Sequence, residues 1–275
     1  MFTNLMRGEL ARLRYRRRAW GSLIIMTIAG LLVPVSWTGS LGPPDADIVA
    51  LAARHAAEMR ASGECPTCTV DDLLNWPTFD SLVSGNLSVA SLGFAFLTFM
   101  IIVAYVGADF SSGAISTQLT FTPRRTLVLG TRTLACGVLG ALLMAAALLP
   151  AAGLTLVAYI LTNGVDSVGS APELVRVLVG AVLYGALLGA IASLLTFLIP
   201  STPLAMAAAV VVLVGNAMLL RVDQVQHLLP MGNAVALITD DGIVGGWQAL
   251  LYHLAVGAVL FLLAAPIFER RDVKA

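Results

Sequence analysis

Apolar residues fall in six long runs, Ala19–Trp37, Leu87–Gly107, Leu134–Leu161, Leu174–Leu198, Leu204–Leu220 and Gln248–Phe268, and most of the charge is collected between them. Each run is near the ~20 residues that a helix rising 1.5 Å per residue needs to cross ~30 Å of hydrocarbon. The alternating pattern of a membrane β-barrel, in segments of about ten residues, is absent. The third and fourth runs exceed a minimal span and predict helices that tilt or extend past the bilayer. The chain therefore reads as an all-α, polytopic membrane protein with six transmembrane helices, one membrane domain over residues 1–275 and no internal repeat.

Composition strengthens this reading. The chain is 58% hydrophobic and 12% charged, with a mean hydropathy of +0.89, whereas soluble domains carry about a quarter charged residues. That excludes an ordinary soluble enzyme. With the N-terminus inside, the inner segments hold twelve cations against four acids, and the outer segments four against twelve, so zero net charge conceals a strong asymmetry. Lys/Arg bias of this kind sets topology and places both termini in the cytoplasm. A cleaved signal peptide competes for the first run. An eighteen-residue basic section before it, and the lack of a small-x-small site in "VPVSWTGS", favour an uncleaved span. Fifteen arginines against one lysine, with abundant alanine, suggest a GC-rich bacterial genome and hence the plasma membrane.

Residues 1–18 place Phe2, Met6, Leu10 and Leu13 on one side of a helix, with Arg7, Arg14 and other arginines around the remainder. Such a cytoplasmic interface helix lies among lipid headgroups, apolar face down; alternatively its arginines serve only orientation. The outer segment 38–86 predicts a small cap. Its first helix has Asp45 or Asp47 near the start, Ile48, Leu51, Ala52 and Met59 on one side, and Gly63 as its stop. A second is capped by Thr69, with Asp72 three residues on.

Between these helices lies Cys65-Pro66-Thr67-Cys68. On an oxidising outer face the two cysteines can close a tight disulfide. Thiol-disulfide exchange is the functional alternative, but a membrane relay usually needs a second pair, and the one other cysteine, Cys136, lies in an apolar span. No further Cys or His pair is spaced to complete a zinc site. Segment 222–247 is too apolar for a solvated loop yet broken by Pro230, Gly232, Gly245 and Gly246, predicting short, re-entrant helices on the outer side or an amphipathic surface helix. Within the spans, Asn216 reads as an interhelical hydrogen bond, Gly185-x-x-x-Gly189 as a close-packing face and His253 as a packed histidine. No line of carboxylates suggests ion-coupled transport.

The remaining chemistry is concentrated in segment 108–133. Asp109 ends the second span, Gly113 loosens the backbone, a short helix carrying Leu119 runs to Thr120, and Pro123, Arg124, Arg125 and Arg132 lead into the third span. The expectation is a stiff, basic projection on the cytoplasmic side.

This arrangement, with six spans, a basic amphipathic N-terminus, the short "PSTP" connection and a Leu-Pro segment before the last span, resembles the ABC-2 type permeases, the membrane subunits of a class of ABC transporters. Aspartate stands at position 109 where glutamate is common in that family. The resemblance implies that segment 108–133 is a coupling loop docking into a separate P-loop ATPase, with Asp109, Gly113, Leu119, Pro123, Arg124, Arg125 and Arg132 as its working residues. It implies a second permease copy or related permease, and export of a hydrophobic, lipid-like or drug-like cargo. The chain has no G-x-x-x-x-G-K-[ST] loop, so ATP and Mg²⁺ would be bound by the partner and no cofactor by this chain. It would be a transport subunit rather than an enzyme, and lipid, not nucleic acid, would be its remaining partner. A membrane redox protein using Cys65 and Cys68 and a non-transporting scaffold are the rivals.

Overall fold

A computed structural model of the chain describes residues 2–38, 41, 46–65, 67–70, 73, 78–168, 172–199, 201–219, 228–239 and 245–270. Among these the regular structure is entirely helical. The helices are α1 (Phe2–Tyr15), α2 (Arg17–Leu32), α3 (Val35–Thr38), α4 (Ala46–Ser62), α5 (Ser88–Ser111), α6 (Ala114–Phe121), α7 (Arg125–Asn163), α8 (Pro172–Leu198), α9 (Thr202–Leu219), α10 (Pro230–Ile238) and α11 (Gly246–Arg270). Helix α5 is entered through a capped turn, Phe79–Ser81, where Thr78 accepts from the Ser81 N–H, and a widened π turn, Leu82–Leu87.

Five helical stretches are long and apolar enough to cross a membrane: Arg17–Thr38, Phe79–Ser111, Arg125–Asn163, Pro172–Leu198 and Gly246–Arg270. The fifth predicted run, Leu204–Leu220, forms α9, whose apolar stretch Thr202–Asn216 is shorter than these. The third begins nine residues earlier than its hydropathy suggests, because Arg125–Thr133 continues the helix rather than forming a loop. At 39 residues it is about 58 Å long, well beyond hydrocarbon thickness.

Helix α7 is the central element. It makes its largest contact with α8 and another large one with α2, while α8 in turn packs on α5, α10 and α11. Small residues permit this: a Cβ at Gly140 would strike the Gly185 carbonyl, and one at Gly189 the Cys136 carbonyl, so the α7 and α8 backbones touch. Leu139, Leu143, Met144 and Leu148 of α7 fill the interior together with Ile102 and Val103 of α5. At the end where α5 leaves and α7 enters, Phe197 meets Phe110 and Phe268 edge-on, with ring centroids 5.2 and 5.0 Å apart.

The short helix α10 is drawn into the bundle, burying Asn233, Ala234, Ala236 and Ile238 against α8 and α11. Gly180 allows its approach, since a Cβ there would strike the Leu237 carbonyl. The rest of segment 222–247 is described only from 228 to 239 and from 245. In the expected cap, α4 starts with Asp47 in its first turn and ends at Gly63, whose φ is +78°. Its expected inward face is rotated: Ala52, Ala56 and Met59 turn inward, while Ile48 and Leu51 are exposed. Of the second cap helix only Thr69, Val70 and Leu73 are described, while Asp72 lies outside the described residues, as do Asp45, Pro66 and residues 271–275.

Candidate functional site

A charged cluster joins four helices at one end of the bundle. Gly113, at φ +67°, turns the chain between α5 and α6, and the Ser116 and Thr117 hydroxyls donate to its carbonyl. Helix α6 thereby folds back beneath the spans, burying Ile115 and packing Leu119 on the core. Thr122 then terminates α6, and Arg124 opens α7 with extended backbone.

At the centre Asp109, 2% exposed, faces Arg132, 3% exposed. Arg132 Nη1 donates to Asp109 Oδ2 at 2.6 Å. The other carboxylate oxygen pairs with Arg16, the two in direct contact, and with Arg12 at 3.7 Å. Gln118 of α6 bridges the group: its Oε1 accepts from Arg132 Nε and Nη2 at 2.9 and 2.8 Å, while its Nε2 donates to Glu9 Oε1 at 2.8 Å. Glu9 lies 3.7 Å from Arg132 and 4.0 Å from Arg12. The Arg16 guanidinium also covers the Tyr105 ring at 4.9 Å. Three guanidinium groups thus share two carboxylates, with an amide supplying both a donor and acceptors.

The electrostatics follow from these neighbours. Burial pushes the Arg12 guanidinium down, the Arg132 and Arg16 charges add to this, and Asp109 and Glu9 oppose it. Burial acts the same way on Arg16, but its bond to Asp109, the Asp109 charge and Tyr105 outweigh it and hold Arg16 above the ordinary guanidinium range. A group raised in the folded state keeps its stabilising contribution below its ordinary value and loses it only above the raised one. Arg16 is therefore charged throughout the range in which proteins function.

The predicted site residues are only partly a projection. Asp109 and Arg132 come together inside the protein, so Arg132, which leads into the third span as expected, turns inward instead of joining a basic projection. Arg125 turns to α11, where its Nη1 donates to the Phe268 and Glu269 carbonyls at 3.0 and 3.2 Å. A cation there satisfies carbonyls left open at a helix C-terminus. Arg124 and Pro123 remain exposed beside Phe121, which is 83% exposed. The outward tip is therefore one aromatic ring, one proline and one arginine rather than a row of arginines.

Helix α1 also differs from expectation. Its protein-facing side carries Glu9, Arg12 and Arg16 with Met6 and Leu13, whereas Phe2, Leu10, Arg7 and Arg14 face outward. The predicted apolar stripe is split between protein and surroundings. Glu9, Arg12, Arg16, Tyr105 and Gln118 were not singled out by the sequence reading. One signal was available: Glu9 is the sole acid in the first 44 residues, set among six arginines, and Glu9, Arg12 and Arg16 share one helical face.

Away from this cluster, α5, α8, α9, α10 and α11 line a partly open cleft of about 250 Å³. Its walls include Phe96, Phe99, Leu188, Ile191, Val212 and Leu260, with Asn216, Tyr252 and His253 grouped toward α10. Cys65 and Cys68 form a disulfide, with Cα atoms 5.5 Å apart, and Cys136 is a buried free thiol. No group of three His, Cys, Asp or Glu side chains suited to a metal occurs among the described residues. No protein-family model matches the chain, and no curated protein matches it in sequence.

Proposed function

We propose that this chain is the membrane-embedded subunit of an ABC-2 type transporter, moving a hydrophobic or lipid-like cargo outward across a bacterial plasma membrane. Six spans, counting α9, would leave both termini in the cytoplasm. ATP and Mg²⁺ belong to a separate P-loop ATPase, and a second permease copy or relative completes the pathway.

The observation that supports this reading most is the way α6 is held. It follows a span, precedes a span, and is tied through Gln118 to Arg132 on α7 and Glu9 on α1, with Arg132 continuing to Asp109 on α5. A load applied to α6 would reach three other helices through short, charge-assisted bonds rather than dissipating in a floppy loop. Phe121, Pro123 and Arg124 are the exposed groups at its end, which a cleft in the ATPase would grip. ATP-bound and ATP-free partner states would then favour different packings of the two permease halves.

The test is affinity purification from the native membrane in mild detergent, comparing the parent with a Phe121→Asp, Arg124→Glu double variant. Arg125 is left intact because it holds the end of α11. A P-loop ATPase should copurify with the parent and be lost from the variant, whose elution profile stays unchanged. Failure of any such ATPase to accompany the parent under several gentle conditions would overturn the reading.

A further inference from the structure

We infer that the outward side of α1 and the first turn of α2 form a binding surface for anionic phospholipid headgroups, built from Arg7, Arg14, Arg17 and Arg18 with Phe2, Leu10 and Trp20 beside them. Such binding requires neither an ATPase nor a cargo.

Three strips run along α1. Glu9, Arg12 and Arg16 face the charged cluster. Next to them lies an apolar edge, in which Met6 and Leu13 are half-buried while Phe2 and Leu10 are exposed. Arg7 and Arg14, two turns apart, border that edge on the side away from the protein. A helix so divided can sink its apolar edge to the acyl boundary while its cations reach the phosphates. The start of the span sets the depth. Helix α1 ends at Tyr15 and α2 begins at Arg17, with Arg16 alone between them. Trp20, exposed in the first turn of α2, donates its Nε1–H to the Arg14 carbonyl at 2.8 Å. An indole with one polar edge suits the boundary between headgroup and hydrocarbon, and this bond keeps the end of α1 there, close to Arg17 and Arg18.

Charge selects the headgroup. Arg7, Arg14, Arg17 and Arg18 are all exposed, and Glu9, the sole acid among the first 44 residues, is turned into the cluster. Among the described residues no carboxylate pairs with any of the four. Arg14 lies 6.0 Å over the Tyr15 ring, a contact that does not neutralise it. Arg12 and Arg16, by contrast, are committed to Asp109. The cluster adds to the surplus rather than cancelling it, since its three guanidinium groups exceed its two carboxylates. A zwitterionic headgroup brings no net charge to such a surface, whereas an anionic one does. An acidic soluble protein would answer the charge but leave no reason for Phe2, Leu10 and Trp20 to stand exposed beside it, and these suit acyl chains.

The test reads the fluorescence of Trp20 in the full chain, with Trp37, Trp76 and Trp247 replaced by Phe, reconstituted in phosphatidylcholine bilayers. Brominated phosphatidylglycerol and brominated phosphatidylcholine are compared as quenchers at equal mole fraction. The anionic lipid should bind beside Trp20 about tenfold better at low salt, and the preference should fall as salt screens the arginines. Arg7→Gln combined with Arg14→Gln touches no contact of the cluster and should lower the preference about fivefold or more while the elution profile stays unchanged. A companion chain that retains only Trp247, at the other end of the bundle, should show no preference. Equal quenching by the two lipids at Trp20, or the same preference at Trp20 and Trp247, overturns the site. A preference untouched by the double substitution overturns the part given to α1. Loss of the preference on adding inorganic phosphate at matched ionic strength overturns the lipid assignment in favour of a free-anion site.

Discussion

The charged cluster and the apolar cleft solve opposite problems with the same helices. At the basic end, buried charges are admissible only because Asp109 and Glu9 meet three guanidinium groups and Gln118, and such a set tolerates little rearrangement. At the cleft, interhelical space is left between aliphatic walls, where contacts are non-directional and side chains adapt at low cost. One region fixes its neighbours by directional bonds and the other leaves its side chains room to adjust. The protein separates them along its length.

The largest expected effect breaks the cluster. Asp109→Ala removes the nearer carboxylate from the buried Arg132, and should cost about 3–5 kcal/mol, read as a lowered midpoint of thermal unfolding in detergent. Asp109→Glu, which keeps the charge, should recover most of that loss. If the two variants unfold alike, the cluster is incidental to stability and the contrast with the cleft collapses.

Next come truncations on either side of the comparison. Leu143→Ala deletes a fully buried side chain at the α7 centre and should cost about 2–4 kcal/mol, whereas Ile191→Ala, facing existing space, should cost about 1 kcal/mol or less. Equal losses would mean that the cleft is packed like the rest of the interior. Arg125→Ala should cost about 1–2 kcal/mol, because the Phe268 and Glu269 carbonyls lose a charged donor. Hydrogen exchange should locate the change in the last turn of α11, and protection unchanged there would refute the capping role.

The smallest effect on the bundle as a whole belongs to Cys65→Ser. The disulfide closes only a four-residue loop, worth about 2 kcal/mol in chain entropy and confined to its neighbourhood. Proteolysis should quicken near residues 63–68 while the midpoint of the bundle stays put. A fall in that midpoint would show that the outer segment braces the spans.

How much was legible beforehand depended on the kind of information. Apolar runs located the five described stretches long and apolar enough to cross a membrane, because hydropathy is summed over many residues, and Gly185 and Gly189 announced a close contact because few other residues fit between touching backbones. Runs marked the start of α7 poorly, since Arg125 and Arg132 break the hydropathy without breaking the helix. Of the expected basic projection, Asp109, Gly113 and Leu119 were found for their positions, but the inward turn of Arg132 and the reach of Arg125 to α11 depend on partners distant in sequence.

Composition and periodicity by themselves determined that the chain is a helical membrane protein, where its long helices lie and which segments hold its charge, because these follow from local transfer energies and backbone satisfaction within one helix. Tertiary structure decided which arginines remain outside, which face of α1 meets the protein, and that α5, α8, α9, α10 and α11 leave a space between them. Those outcomes depend on which helices meet and at what distance, and a buried charge or a cleft exists only in relation to neighbours that no single stretch of sequence contains.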